Sequence, residues 1–289
     1  MNGHRENFES ALVTNPKDVE TLYGEQDLAA TSLFSGGFIN FGYWKGLCIG
    51  SKISKKTRAL SSQRLYEKIF DSLAVNKEDT VLEIGCGLGN GCVLLNETCA
   101  PSYIIGIDAS KAQIRRANEH HKASLLGSED TIKFGVSKAE NLQIAENSIT
   151  KAFSLEALQH FSSIDRFLKS LFGVLKTNGK LVISTFFFRL DPPISFFDSF
   201  PNFSNGVDKV VKLQTFCSKL EKYGFKNIRA RSIGKHVWSG FDRWVSQTEY
   251  KATWDRYWIQ AYQQGLLDYY IIEAEKTESG MASLGSQNV

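Results

Sequence analysis

Apolar positions along the chain follow two periods in alternation. Short runs rich in Val, Ile, Leu and Phe at 81–83, 104–108, 131–136, 149–155, 180–188, 226–233 and 266–274 have the length and composition of buried strands. Between them, 61–73, 112–126, 163–175 and 210–223 place apolar residues at helical spacing. Asn178 and Gly179 supply a left-handed stop for the third helix, and Gly224 ends the fourth. Strands alternating with helices predict an α/β fold with a largely parallel sheet and helices on both faces.

The first strand ends in Glu83 and breaks into Gly85, Gly87 and Gly89; the second ends in Asp108, roughly 20 residues further on. Glycines there let the backbone approach a ligand at the start of a helix, and an acid at that distance can accept hydrogen bonds from ribose hydroxyls. A nucleoside site follows. The dinucleotide fingerprint requires a third glycine where Asn90 stands, and a diphosphate would be repelled by Glu83. A ligand with a sulfonium and an ammonium and no phosphate would be attracted to it. The other reading is a glycine turn in an unliganded sheet, with Asp108 serving as N-cap for a helix over 109–118.

With Glu83, Gly85, Gly87 and Gly89 matching E/D-x-G-x-G-x-G, the chain resembles the class I S-adenosylmethionine-dependent methyltransferases over roughly 38–276. The resemblance implies a Rossmann-like sheet of seven strands with the last antiparallel. It also implies that Glu83 and the glycine loop hold the methionine part and Asp108 the ribose. Ala109, Ala139 and Leu155 complete the cofactor set. The family's adenine-contacting Asp after strand three is Lys138 here, flanked by Ser137, so Glu140 is its expected substitute.

Other matches concern the methyl acceptor. Ser154, Glu156 and His160 match the S-x-E-x-x-x-H segment of sugar and natural-product O-methyltransferases. A histidine just beyond strand four faces the ligand crevice and is mostly neutral at pH 7, which suits a general base. Related enzymes pair it with an acid after strand five; Thr185 and Phe186 occupy those positions, leaving Asp191 as the nearest replacement. Residues 1–60 are expected to form a helical lid, with Phe8, Leu12, Val19 and Leu22 on its helices. The glycine- and aromatic-rich 32–46 stretch is a loop whose Asn40, Gly42, Tyr43 and Trp44 resemble the family's N-x-G-Y-W segment, and Tyr43 is expected to help seal the site. The alternative is an aromatic clasp that pins the N-terminus to the core. Acceptor caps are expected around 186–206 and 236–264 within a core of 61–276. The first holds seven phenylalanines and three of the five prolines, which suits an irregular pocket wall or an oligomer contact. In the second, most rings are core, with Trp238 and Trp244 as candidates for touching the acceptor.

Charge and cysteines narrow the partners. A net charge of +3 is spread along the chain, and Lys52, Lys55, Lys56 and Arg58 read as a solvated helix start, so nucleic acid is not an expected partner. The cysteines lack C-x-x-C spacing and read as reduced thiols of a cytoplasmic protein without a metal centre. His120 and His121 are adjacent on a helix and read as exposed. No apolar run approaches the roughly 18 residues of a membrane span, and 277–289 read as a mobile tail. The expected reaction is O-methylation of a small or mid-sized apolar or aromatic acceptor, by a possible homodimer. An N- or C-methyltransferase of the same fold, or a non-methylating cofactor-binding protein, stays open.

Overall fold

A computed structural model describes residues 23–24, 27–50, 52–122 and 131–278. The expected helices carrying Phe8, Leu12, Val19 and Leu22, the stretch 123–126 and the tail beyond 278 lie outside the described residues. In chain order the main elements are α1 (Lys55–Leu73), β1 (Thr80–Ile84), α2 (Asn90–Cys99), β2 (Tyr103–Asp108), α3 (Lys111–His121), β3 (Ile132–Val136) and β4 (Ile149–Leu155). They continue as α4 (Ile164–Val174), β5 (Leu175–Phe188), α5 (Ile194–Asp198), α6 (Pro201–Ser204), α7 (Leu213–Lys222), β6 (Phe225–Ser232), α8 (Trp238–Val245), α9 (Tyr257–Gln263) and β7 (Leu267–Lys276).

The strands form one sheet in the order β3-β2-β1-β4-β5-β7-β6. Pairs from β3 through β5 are parallel, and β7 runs antiparallel to both β5 and β6. Helices α1, α2, α3, α8 and α9 contribute to the core on one face, α4 and α7 to the core on the other. The order reverses between β1 and β4, and in open parallel sheets the crevice beyond the strand ends at such a point receives ligands.

Burial moves several boundaries. Helix α1 begins at Lys55, ahead of 61, because the Ser54 hydroxyl accepts the Thr57 N–H at 3.0 Å. Arg58 is accordingly not solvated: it is fully buried, its guanidinium bonded to the carbonyls of Leu33 and Asn40 and to the hydroxyls of Ser61 and Ser62. Helix α4 ends at Val174, short of the Asn178-Gly179 stop. Leu175 is drawn into the sheet against Ile149, and the buried Lys276 ammonium caps the helix by donating to the carbonyls of Phe172 and Leu175, each at 2.7 Å.

The phenylalanine-rich stretch is largely buried and forms no exposed patch. Phe186, Phe187 and Phe188 lie in β5, and Pro193 and Pro201 start α5 and α6 instead of preventing regular structure. Phe196, Phe200 and Phe203 then turn inward, with Phe200 packed 4.7 Å from both Phe196 and Trp258. Trp238 is fully buried and stacked on Trp258, while the Trp244 indole donates to the Leu33 carbonyl at 3.1 Å. Both tryptophans are therefore core residues.

Candidate active site

The glycine turn after β1 is built from dihedrals that only glycine adopts without strain. Gly85, Gly87 and Gly89 have φ of 80°, 51° and 74°. The amides of Gly85 and Cys86 donate to the Ile107 carbonyl at 2.8 and 2.9 Å, which fastens the turn to the end of β2. A Cβ on Gly85 would stand 2.4 Å from that of Ala157, and one on Gly89 2.4 Å from the Phe134 ring. At Gly87 nothing lies within 4 Å, so that glycine leaves room for a ligand. The α2 N-terminus has no side-chain cap.

Asp108 faces this turn. Its Oδ2 accepts the Gly87 N–H at 3.0 Å and its Oδ1 the Ser110 N–H at 2.9 Å. The N-cap of α3 is Ser110, whose hydroxyl accepts the Gln113 N–H, so Asp108 is not serving as the cap.

A cavity of about 500 Å3 opens at the carboxyl ends of β1, β2 and β4. Gly85, Gly87, Asp108, Ala109, Ala139, Glu140, Leu155 and His160 all line it. Glu83 does not. Its carboxyl is fully buried behind the Tyr66 ring, accepting from the Tyr66 hydroxyl at 3.1 Å and the Cys92 thiol at 3.0 Å. Burial pushes this carboxyl up to about 7 in spite of those donors. Gly91 makes the space, since a Cβ there would lie 2.4 Å from Glu83 Oε1. Gly89 likewise shapes the turn from behind. Glu140 turns Oε1 onto the amides of Ser162 and Ser163 and the Ser162 hydroxyl; these donors outweigh partial burial and hold it below the usual carboxylate range. Lys138 is exposed on the rim.

His160 sits in the short helical turn Leu158–His160. Its Nδ1 lies 3.1 Å from Asp208 Oδ1 and 3.3 Å from the Val207 carbonyl; its Nε2 lies 2.9 Å from the Tyr23 hydroxyl. Burial alone would lower the imidazole's proton affinity, but Asp208, with help from the Val207 carbonyl, raises it above the ordinary histidine value. The acid paired with His160 is thus Asp208. Asp191 instead meets Lys212 at the surface, 2.6 Å away. Thr185, at the expected acid position, donates to Gln159 Oε1 at 2.9 Å, and Gln159 donates to the Glu156 carbonyl at 2.8 Å, which braces the turn carrying His160.

Tyr43 does not reach the cavity. Its N–H bonds the Ser61 carbonyl at 2.7 Å and its ring packs edge-on to His236. The tyrosines lining the cavity are Tyr23 and Tyr66, and Arg116 holds the carbonyls of Tyr23 and Gly24, each at 2.9 Å. Sequence reading also passed over Gln113, Glu156 and Lys209 as wall residues. Of these only Glu156 carried a signal, its place in S-x-E-x-x-x-H. His121 is buried as well, with Nε2 2.9 Å from the Leu88 carbonyl, whereas His120 is exposed.

Comparison with known proteins agrees with this fold. Residues 82–183 match the methyltransferase domain family. The chain is 27% identical over 239 residues to erythromycin 3''-O-methyltransferase of Saccharopolyspora erythraea, covering 79% of this chain and 74% of that one. It is 26% identical over 167 residues to O-methyltransferase resE of Aspergillus sclerotiorum, covering 58% and 60%. Among solved structures, geranyl diphosphate C-methyltransferase from Streptomyces coelicolor, in complex with S-adenosyl-L-homocysteine, superposes with a TM-score of 0.76 at 15% identity over 91% of this chain and 98% of that one. The domain match, the relatives and the fold together support a class I S-adenosylmethionine-dependent methyltransferase. Its cofactor is S-adenosylmethionine. The residues present suit that molecule: an open glycine turn, the Asp108 carboxylate, and a wall that includes Ala109, Ala139 and Leu155. Among the described residues no helix is long and apolar enough to cross a membrane.

Proposed function

We propose that the protein O-methylates a hydroxyl on a small or mid-sized, largely apolar natural product or metabolite, with His160 as general base. The observation that carries this reading is the Tyr23 hydroxyl 2.9 Å from His160 Nε2, on the wall of the cofactor cavity. A hydroxyl fits within proton-transfer reach of that nitrogen.

Bound S-adenosylmethionine supplies a methyl group already activated by its sulfonium. Asp108 holds the ribose, the glycine turn the methionine part, and Ala139 with Glu140 the adenine edge. His160 Nε2 takes the proton of the acceptor hydroxyl while Nδ1 keeps its own, directed between Asp208 and the Val207 carbonyl. Asp208 then stabilises the imidazolium. The loop over 32–46 covers the site, a role supported by Phe38 and Ile39 in the cavity wall. The two O-methyltransferase relatives quoted above support oxygen as the acceptor atom, although the structural neighbour methylates carbon.

His160→Ala should lower turnover about 10²- to 10⁴-fold, the usual range for a positioned base, with S-adenosylmethionine affinity retained in calorimetry. The acceptor is found by incubating the enzyme with labelled cofactor and an extract of its source and weighing the labelled product. A wild-type rate in the variant, or label on nitrogen or carbon, would remove this reading.

A further inference from the structure

Besides Asp208, which is paired with His160, four acids lie in or behind the cavity wall, and their surroundings differ. Glu83 is sealed behind Tyr66. Asp108 has one oxygen on Gly87 and the other on Ser110. Glu140 is tied to the Ser162 and Ser163 segment. Glu156 stands between Leu155 and Ala157 at the end of β4, directly across from the glycine turn, since Ala157 is the residue that Gly85 packs against.

Both donors to Glu156 converge on Oε1: the Phe41 N–H at 2.9 Å and the Tyr269 hydroxyl at 2.8 Å. Oε2 therefore has no hydrogen-bond donor among the described residues, although the residue keeps surface on the cavity. Its backbone has φ of 49°, a strained conformation for a side chain, and such strain collects at ligand sites. The nearest buried cation offers no direct partner, because Arg58 spends its guanidinium on Leu33, Asn40, Ser61 and Ser62. Burial outweighs the two donors and the charges of Arg58 and His160, pushing the carboxyl up to about 8. A carboxylate so placed is completed by a cation arriving in the cavity.

We propose that Glu156 recognises the positive charge at the reacting end of the cofactor, so that the protein distinguishes the sulfonium form from its uncharged thioether product at this residue. Sequence alone pointed to Glu83 for that attraction, and the structure removes Glu83 from the wall. The proposal rests on the assignment of the cofactor and is independent of the acceptor and of the role of His160. Glu156 gives up its proton when the charged ligand enters and takes one up once the charge is gone, which favours product release.

Calorimetry with three probes tests this: S-adenosylmethionine; sinefungin, which carries an amine in place of the methyl sulfonium; and S-adenosylhomocysteine. Glu156→Gln keeps an oxygen for Phe41 and Tyr269 and should weaken the first two about ten-fold, a single lost charge contact, with S-adenosylhomocysteine changed less than about two-fold. In the wild type the preference for S-adenosylmethionine over S-adenosylhomocysteine should rise as pH rises through about 8, with proton release seen in buffers of different ionisation heat. His160, Tyr23, Tyr269 and Arg58 are the other ionisable groups around Glu156, with Asp208 and Asp108 acting on His160 and Tyr23. The contribution of His160 has the same sign and persists in Glu156→Gln, so the difference between the two proteins isolates Glu156. Equal weakening of all three probes, or no weakening, overturns the proposal. If the variant does not fold, a flat wild-type preference across that pH range overturns it too. A wild type that binds none of the three fails instead at the assignment of the cofactor.

Discussion

The glycine-turn side and the His160 side of the cavity are held together by contacts of different range. Around the glycine turn, Gly87, just beyond β1, reaches Asp108, at the end of β2, over 21 positions, and those two strands are neighbours paired in parallel register. Around His160, Tyr23 comes from 137 positions away, and Phe41 and Tyr269 close on Glu156 from 115 and 113. Backbone conformation builds the first half, so particular residue types are required at fixed spacing. The second half is assembled by packing, and many sequences can deliver a hydroxyl or carboxylate to the same place.

Substitutions can break or sharpen that contrast. The largest effect is expected at Gly85→Ala, which combines a left-handed φ of 80° with a Cβ 2.4 Å from Ala157. Strain of about 1–2 kcal/mol and overpacking of about 1–3 kcal/mol should together cost about 3 kcal/mol in denaturant unfolding. Gly87→Ala, with the same backbone problem and open space around it, should cost only about 1 kcal/mol of stability while weakening the cofactor in calorimetry. Equal costs at the two positions would show that Ala157 does not constrain the turn.

On the acceptor side, Asp208→Asn should lower kcat/KM about ten-fold, about 1.4 kcal/mol, and move the acidic limb of its pH profile downward. The sign follows from His160, which Asp208 raises against burial; without the carboxylate the imidazole releases its proton more readily. By the same linkage, the stability this pair contributes is complete below the unfolded histidine value of about 6.5 and is lost as pH rises through the raised folded value. An unmoved limb would leave Asp208 without a part in tuning the base. The smallest effect is expected at Trp238→Phe. The buried indole N–H has no partner among the described residues, so removing it should change stability by less than about 1 kcal/mol and leave the acceptor KM unchanged. A raised KM would return Trp238 to the pocket.

Much of the sheet was legible because strand and helix periods are local: 149–155 is a strand in both sequence and structure, and β2 ends on Asp108 as its acid does. Glu83, Arg58 and His121 were misplaced for one reason. Whether a polar side chain meets solvent, a ligand or the core depends on what the rest of the chain lays over it, and Tyr66, the loop around Leu33 and Asn40, and the Leu88 carbonyl come from other elements. The phenylalanine stretch failed in the opposite direction. Its prolines looked disruptive, yet Pro193 and Pro201 stand where helices begin and need no amide donor.

From the sequence alone came the α/β alternation, the glycine turn with the acid that ends β2, the class of cofactor, and a histidine beyond β4, because dihedral preferences and short spacings are properties of neighbouring residues. Only the tertiary structure decided that Asp208 partners His160, that Tyr23 stands at the site in place of Tyr43, and that Glu156 faces the cavity while Glu83 is sealed behind it. Those outcomes depend on how distant surfaces pack, and no local pattern specifies which of several equivalent polar residues such packing will bring to the cavity.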